Sequence, residues 1–165
     1  MSRKCLAVAV VLWAALLVSA LPASAADGPY QYHPVTPCRV VDTRNMGEFP
    51  GAYGPGLVSR EERMFPFQGN CLVPVGAKAV TVNVTVAKPT AQAVLNAGYL
   101  TIWPSGVTKP LVATINWAKG TTALANGAIV PLADNATYPK DLTVSPFLSG
   151  GGKVEVILDV TGYFQ

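Results

Sequence analysis

The chain has few charged side chains and few of the groups that perform chemistry. Charged residues make up 13% of its 165 residues, and it contains one histidine, His33, and three cysteines. It has no run of lysines or arginines, so it lacks the concentrated basic patch that nucleic-acid binding requires. Histidine and cysteine are too few for an ordinary zinc site. We therefore expect no nucleic-acid partner, no metal and no cofactor.

A long apolar run occurs only at the amino terminus. Arg3 and Lys4 precede an apolar stretch over residues 6–21, and Ala23-Ser24-Ala25 follows it. The stretch is about 16 residues long, shorter than the roughly 20 that a helix needs to cross a bilayer. A basic start, a short apolar core and a small-x-small ending are typical of a secretory signal peptide. The sequence predicts a signal peptide over 1–25, secretion, and no membrane span after cleavage.

The remaining residues, 26–165, are enough for one domain with a proper core and too few for two. Without Arg3 and Lys4 the formal net charge falls from +3 to about +1. Cleavage also leaves two cysteines, Cys38 and Cys71, in an oxidising compartment, where an even count favours pairing. Their bridge would close a loop of about 34 residues and contribute roughly 3–4 kcal/mol. We predict this disulfide.

Beyond the signal peptide, apolar residues alternate with period two, and no helix is predicted. In residues 80–86 the valines share one face while threonines and an asparagine share the other, and residues 154–160 alternate similarly. Such strands are typical of antiparallel sheets with one buried face. Shorter strand candidates cover residues 39–43, 64–68, 99–103, 112–117, 122–131 and 142–147. About eight strands predict an all-β, two-sheet antiparallel sandwich of jelly-roll or immunoglobulin-like type, with residues 45–62 as one long loop.

Two motifs bracket this region: Pro37-Cys38-Arg39-Val40-Val41-Asp42-Thr43-Arg44 at its start and Asp159-Val160-Thr161-Gly162-Tyr163-Phe164 at its end. Together with the segments at 69–74, 77–85, 98–104 and 125–131, they resemble, in the same order, a family of secreted bacterial β-domains. These domains occur singly or as modules of larger surface proteins and have no settled biochemical activity. The resemblance implies an extracellular β-sandwich that is cross-linked by a disulfide near its start. Family members often carry glycine directly after the second cysteine, where this chain has Leu72.

Asp42 and Arg44 form the most prominent polar motif. Two residues apart on a strand, they face the same way and can form a charge-assisted pair. One interpretation is a ligand-gripping carboxylate and guanidinium at the mouth of the long loop. The other is a structural clasp that fixes the loop at the strand end. The sequence favours the clasp and leaves the ligand site open.

Tyr99, Thr101 and Trp103 alternate outward if Leu100 and Ile102 point inward, and Trp117 closes a nearby strand candidate. Exposed aromatic rings on a flat sheet could stack on sugars. The same alternation would arise if a loop or a neighbouring subunit covered that face. Tyr99, Trp103 and Trp117 are therefore the candidate sugar-stacking residues.

These observations favour a secreted, non-catalytic interaction or structural module of a bacterial cell surface or matrix, with an extracellular protein or glycan as partner and with self-association possible. The alternative is a carbohydrate-binding module, and the third hypothesis is a secreted hydrolase. Catalysis has weak support, because His33 is expected on a flexible arm near the mature amino terminus. Asp42 and Glu48 could serve as paired carboxylates, but nothing in the sequence sets their separation.

Overall fold

A computed structural model describes residues 28–46 and 53–165, and this part of the chain is built from β-strands without a helix. The predicted signal peptide lies outside the described residues. The strands are β1 (Tyr32–Asp42), β2 (Leu57–Val58), β3 (Arg63–Phe65), β4 (Ala79–Ala87), β5 (Gly98–Pro104), β6 (Ile115–Trp117), β7 (Ala123–Pro131), β8 (Leu142–Leu148) and β9 (Lys153–Phe164). In the described ranges no helix is long and apolar enough to cross a membrane.

The strands form two antiparallel sheets, which confirms the predicted sheet arrangement. The first sheet runs in the order β1-β9-β4-β7, with β2 also paired to β9, and the second runs β3-β8-β5-β6. The chain has nine strands in the described residues where about eight were expected. Both long alternating segments became neighbours, because β4 and β9 pair directly along their length.

The core lies between the sheets and takes side chains from both. Val80 and Val84 of β4 and Leu158 of β9 are fully buried, and they share one apolar cluster with Leu100 of β5 and Val144 of β8. Each fully buried side chain of this size contributes about 1.5–3 kcal/mol of burial. The opposite faces of β4 and β9 carry threonine, asparagine and aspartate, as the period-two pattern predicted.

The predicted disulfide joins Cys38 of β1 to Cys71, with the two α-carbons 5.6 Å apart. Cys71 lies in the connection between β3, in the second sheet, and β4, in the first. Directly after it, Leu72 adopts a φ of 64°, in the left-handed region. This conformation favours glycine, which agrees with the glycine that the secreted β-domains resembled by this chain often carry at the same position.

Two expectations were wrong in part. His33 does not lie on a flexible arm: β1 begins at Tyr32, and His33 pairs with Tyr163 of β9, where the two rings stack at 4.9 Å between centroids. The segment predicted as one long loop contains β2, which pairs with β9 at Val154 and Lys153. Both segments gain strand structure from β9, a partner that lies more than 90 residues away in the sequence.

Candidate functional site

The outer face of the second sheet carries Tyr99, Thr101 and Trp103, as the alternation predicted. Their neighbours Leu100 and Ile102 belong to the apolar core. Thr101 and Trp103 are nevertheless only 1% and 4% exposed. The chain between β5 and β6 covers them, and we call its residues 106–113 the crossing segment. Trp103 therefore offers no open ring face, and its selection as a sugar-stacking residue was wrong.

Hydrogen bonds from the sheet hold the crossing segment in place. Trp103 donates through Nε1 to the carbonyl of Val107 at 3.2 Å, and Thr101 donates through its hydroxyl to the carbonyl of Val112 at 3.0 Å. These bonds satisfy side-chain groups that the segment has buried. Because a buried polar group without a partner costs about 1–3 kcal/mol, they fix the segment's position on the sheet.

Lys109 forms a third attachment. Its ammonium donates to the hydroxyl of Ser145, a fully buried residue of β8, at 2.8 Å. The same ammonium lies 5.6 Å from the centroid of the Trp103 ring, a distance at which a cation is attracted to the face of an indole. Lys109 therefore fixes the middle of the crossing segment to two strands.

Trp117 and Tyr99 have different surroundings. Trp117 points into the core, is 6% exposed and donates through Nε1 to the carbonyl of Asn96 at 2.7 Å. Its selection as a sugar-stacking residue was also wrong, because β6 turns its ring inward against Gly98, the residue paired with it. Tyr99 is half-buried and stacks on Phe147, with 5.2 Å between ring centroids. Of the three aromatic candidates, Tyr99 lines a groove beside the crossing segment, and Trp103 lines a neighbouring depression while keeping only 4% of its surface exposed.

The outer side of the crossing segment is apolar and exposed. Leu111 is fully exposed at 105% of its reference area, and Val112 is 64% exposed. Together with Tyr99 they line a groove of about 430 Å³. Val112 and the 65% exposed Ile129 of β7 line a neighbouring depression of about 440 Å³. We call Leu111 and Val112 the apolar patch, a feature that sequence reasoning missed.

Asp42 and Arg44 do form an ion pair. Arg44 donates to the Asp42 carboxylate through Nε at 2.9 Å and through Nη2 at 2.7 Å, and its backbone N–H donates at 3.1 Å. Arg39, which sequence reasoning did not connect to this motif, adds a contact from Nη1 at 3.3 Å. The bidentate Arg44 contact holds the pKa of Asp42 below its ordinary value, and its hydrogen bonds raise the pKa of Arg44.

The surroundings of Asp42 resemble a clasp more than a binding site. Its carboxylate is only 2% exposed, and its carbonyl accepts the N–H groups of Asn45 and Tyr53, on either side of residues 47–52. Beside it, the hydroxyl of Thr43 donates to the carboxylate of Glu155 at 2.6 Å and accepts the N–H of Val156 at 2.8 Å. These contacts tie Asn45 and Tyr53 to the end of β1, and Thr43 ties that end to β9.

A second polar group lies on the outer face of the first sheet. Arg39 donates to Asp159 through Nε at 2.8 Å and through Nη2 at 3.3 Å, which joins β1 to β9. Asn83 of β4 lies opposite Asp159 in the register. These three residues, with Pro37 and Thr161, line a shallow depression of about 510 Å³. The pairing raises the pKa of Arg39, and the charges of Arg39 and Asp159 largely neutralise each other.

The remaining candidates for catalysis are not assembled into a site in the described residues. His33 stacks on Tyr163, and Glu48 lies outside the described residues. Asp141 is fully buried, and its carboxylate accepts the backbone N–H groups of Phe67 at 2.7 Å and Gln68 at 2.9 Å. Burial raises the pKa of Asp141 although these bonds oppose it. No group of three metal-ligating side chains occurs within residues 28–46 and 53–165.

Comparison of the chain with protein-family models, with curated proteins and with solved structures found no match.

Proposed function

We propose that this protein is a secreted, non-catalytic interaction or structural module of a bacterial cell surface or matrix. The signal-peptide pattern and the resemblance to secreted bacterial β-domains support secretion. The Cys38–Cys71 disulfide agrees with an oxidising compartment. Membership of that family, with its PCRVVDTR-type start and DVTGYF-type end, is part of the proposal.

The observation that carries the proposal is the apolar patch beside the groove. Large apolar side chains that are exposed together mark protein–protein or membrane interaction sites, or ligand-binding grooves. Here they stand on a segment that three side chains fix to the sheet, Thr101, Trp103 and Lys109. A partner that binds such a surface loses little binding energy to ordering it, because the surface is already ordered.

Cross-linking on intact source cells and their surface extract tests the proposed interaction surface. We expect wild-type protein to form a specific cross-linked adduct and the double variant Leu111→Ser and Val112→Ser to lose at least about tenfold in yield, as a loss of roughly 1.4 kcal/mol predicts. Val75→Ser is the matched control, since Val75 is 66% exposed and lies outside the patch. Equal yields from all three proteins, at matched melting temperatures, would reject the patch as the binding surface.

Secretion has its own test. Expression in the source organism should place the protein in the medium or on the envelope, and mass spectrometry should find a chain that starts at Ala26 or Asp27. A protein that stays inside the cell with residues 1–25 intact would refute the proposed location.

Carbohydrate binding stays a second candidate because of one specific feature. Tyr99 lines the 430 Å³ groove with Asn116 and Lys109, a volume within the range of small-molecule sites. Titration with envelope oligosaccharides separates the two candidates. Binding that Tyr99→Ala abolishes and the Leu111 and Val112 changes preserve would favour the glycan, and the reverse result would favour a protein partner.

A further inference from the structure

β7 is an edge strand of the first sheet, and it is unusually open. It pairs with β4 on one side, and among the described residues no strand pairs with its other side. Seven of its nine residues are exposed, including Ile129 at 65% and Leu124 at 40%. An open edge strand presents unpaired backbone groups to any other strand that approaches it.

The register with β4 identifies which backbone groups are open. Just beyond the two ends of the ladder, Leu132 donates to Lys78 and Thr122 accepts from Lys88. Alternate residues of an antiparallel strand bond to the same neighbour, so the even-numbered residues of β7 bond to β4. The odd-numbered residues, Ala123, Ala125, Gly127 and Ile129, therefore direct their N–H and carbonyl groups away from the sheet.

Apart from Pro131 at its last position and a bond from the Asn126 side chain to the carbonyl of Thr114, β7 has little that protects this edge, and its odd-numbered residues are exposed. Proteins commonly guard edge strands with charged residues, prolines, irregular pairing or short length. The opposite edge, β1, contains Pro34 and Pro37 and two register shifts, and the edges of the second sheet, β3 and β6, have three residues each. β7 has nine residues in unbroken register, and no charged residue occurs from Thr121 to Ala133.

We propose that β7 is a homodimerisation edge, at which two copies of this chain pair their β7 strands antiparallel about a two-fold axis at Gly127. This inference rests on the proposed function as an interaction module and names a second copy of the chain as a partner. A two-fold contact places each residue of the edge against the same edge of the other copy. A strand without charged residues can pair with its own copy without like-charge repulsion.

The side chains of β7 fit this register. Gly127 lies on the axis, where it meets its own copy, and no atom lies within 4 Å of the position that a Cβ would take there. Two residues to either side, Ala125 faces Ile129 of the second copy, which pairs a small side chain with a large one. Pro131 has no N–H to donate, so the ladder ends there. The first sheets of the two copies would then form one continuous sheet.

Charge placed on the axis tests the proposal. We expect the wild-type mature protein to sediment as a dimer whose fraction rises with concentration. Gly127→Asp and Gly127→Lys should each be monomeric, because like charges meet across the axis. An equimolar mixture of the two variants should recover a dimer. Met64→Lys, on the edge strand of the other sheet and 49% exposed, is the matched control and should dimerise like wild type.

Hydrogen exchange gives a readout at the residues themselves. The amides of Ala125, Gly127 and Ile129 should exchange more slowly in concentrated than in dilute wild-type protein, with no such difference in Gly127→Asp. If Gly127→Asp fails to fold, Ala125→Lys replaces it, with Met64→Lys still as control. A wild type that is monomeric at every attainable concentration, or a dimer unaffected by the charges on β7, would overturn the proposal.

The experiment also separates this inference from the proposed function. The double variant Leu111→Ser and Val112→Ser should lose its surface partner and stay dimeric, whereas Gly127→Asp should lose the dimer. A dimer without any surface partner would contradict the proposed function alone. A monomer that still captures the surface partner through the apolar patch would contradict the dimer alone, and so would a β7 edge that pairs only with a foreign peptide.

Discussion

Leu72 has a backbone conformation that is unfavourable for a residue with a side chain. Its φ of 64° lies in the left-handed region, and its side chain is 81% exposed. That conformation costs a residue with a Cβ about 1–2 kcal/mol. Glycine avoids this cost, but its more flexible unfolded chain lowers the free energy of unfolding by roughly 0.5–1 kcal/mol. Leu72→Gly should therefore raise the free energy of unfolding by roughly 0.5–1 kcal/mol, measured by denaturant titration.

Leu72→Ala is the control for this prediction. It removes the exposed side chain but keeps the Cβ, so it should leave stability within about 0.5 kcal/mol of wild type. A gain of equal size in Leu72→Ala and Leu72→Gly would attribute the effect to the exposed leucine and not to φ.

Asp42 is the residue with two alternative roles, a structural clasp or part of a ligand site. Its carboxylate is 2% exposed, while Arg39 and Arg44 are each 48% exposed. Water can therefore partly replace the carboxylate at both guanidinium groups. We expect Asp42→Asn to cost about 1–3 kcal/mol at neutral pH and to leave capture of a surface partner unchanged. Lost capture with unchanged unfolding free energy would make Asp42 part of a ligand site.

The pH dependence of this difference has a definite sign. Because the folded-state pKa of Asp42 is lowered, its stabilisation is present above the unfolded value of about 3.9 and is lost as pH falls through the folded value. Asp141, with a raised pKa, acts in the opposite direction but is common to both proteins. The unfolding free energies of wild type and Asp42→Asn should therefore converge as pH falls below about 4. Glu62→Gln, at an exposed carboxylate, controls for loss of charge.

At the scale of the strand, the sequence was most informative where one face is core and the other is solvent. The valines of β4 and the apolar residues of β9 repeat every second position, and both strands are buried on that face. Period two follows directly from the pleat. The lengths of β1, β2 and β6 were less predictable, because they depend on which distant strand offers backbone partners.

The crossing segment could not be predicted from alternation. Tyr99, Thr101 and Trp103 point outward as the pattern indicates, but the pattern contains no information about what lies above a sheet. The cover depends on contacts such as Trp103 to Val107 and Lys109 to Ser145. One signal was available: a tryptophan and a threonine side by side on an outer face each carry a polar hydrogen that needs a partner when buried.

At the scale of the molecule, the sandwich was predictable and its surface was not. Turn residues and alternation specify strands, strands need a second layer to bury their apolar faces, and the layer arrangement follows. The ion pair between Asp42 and Arg44 could be anticipated from their spacing. The apolar patch and the open β7 edge could not be predicted. Both depend on which strand lies at the edge of a sheet and on whether another part of the chain covers that edge.

The disulfide acts on the whole molecule, since it restricts the unfolded chain more than it changes any folded contact. Cys38 belongs to the edge strand β1, and Cys71 to the connection that brings the chain back from the second sheet. Closing 33 residues of separation is worth about 3–4 kcal/mol, a large part of the roughly 5–15 kcal/mol that stabilises a domain. The double variant Cys38→Ser and Cys71→Ser should lose about that much in denaturant titration. Wild type in reductant should unfold at the same denaturant concentration as the variant, and the variant should not respond to reductant. If reduction leaves the wild-type midpoint unchanged, the fold is held by its core alone, and the bridge serves another purpose than stability.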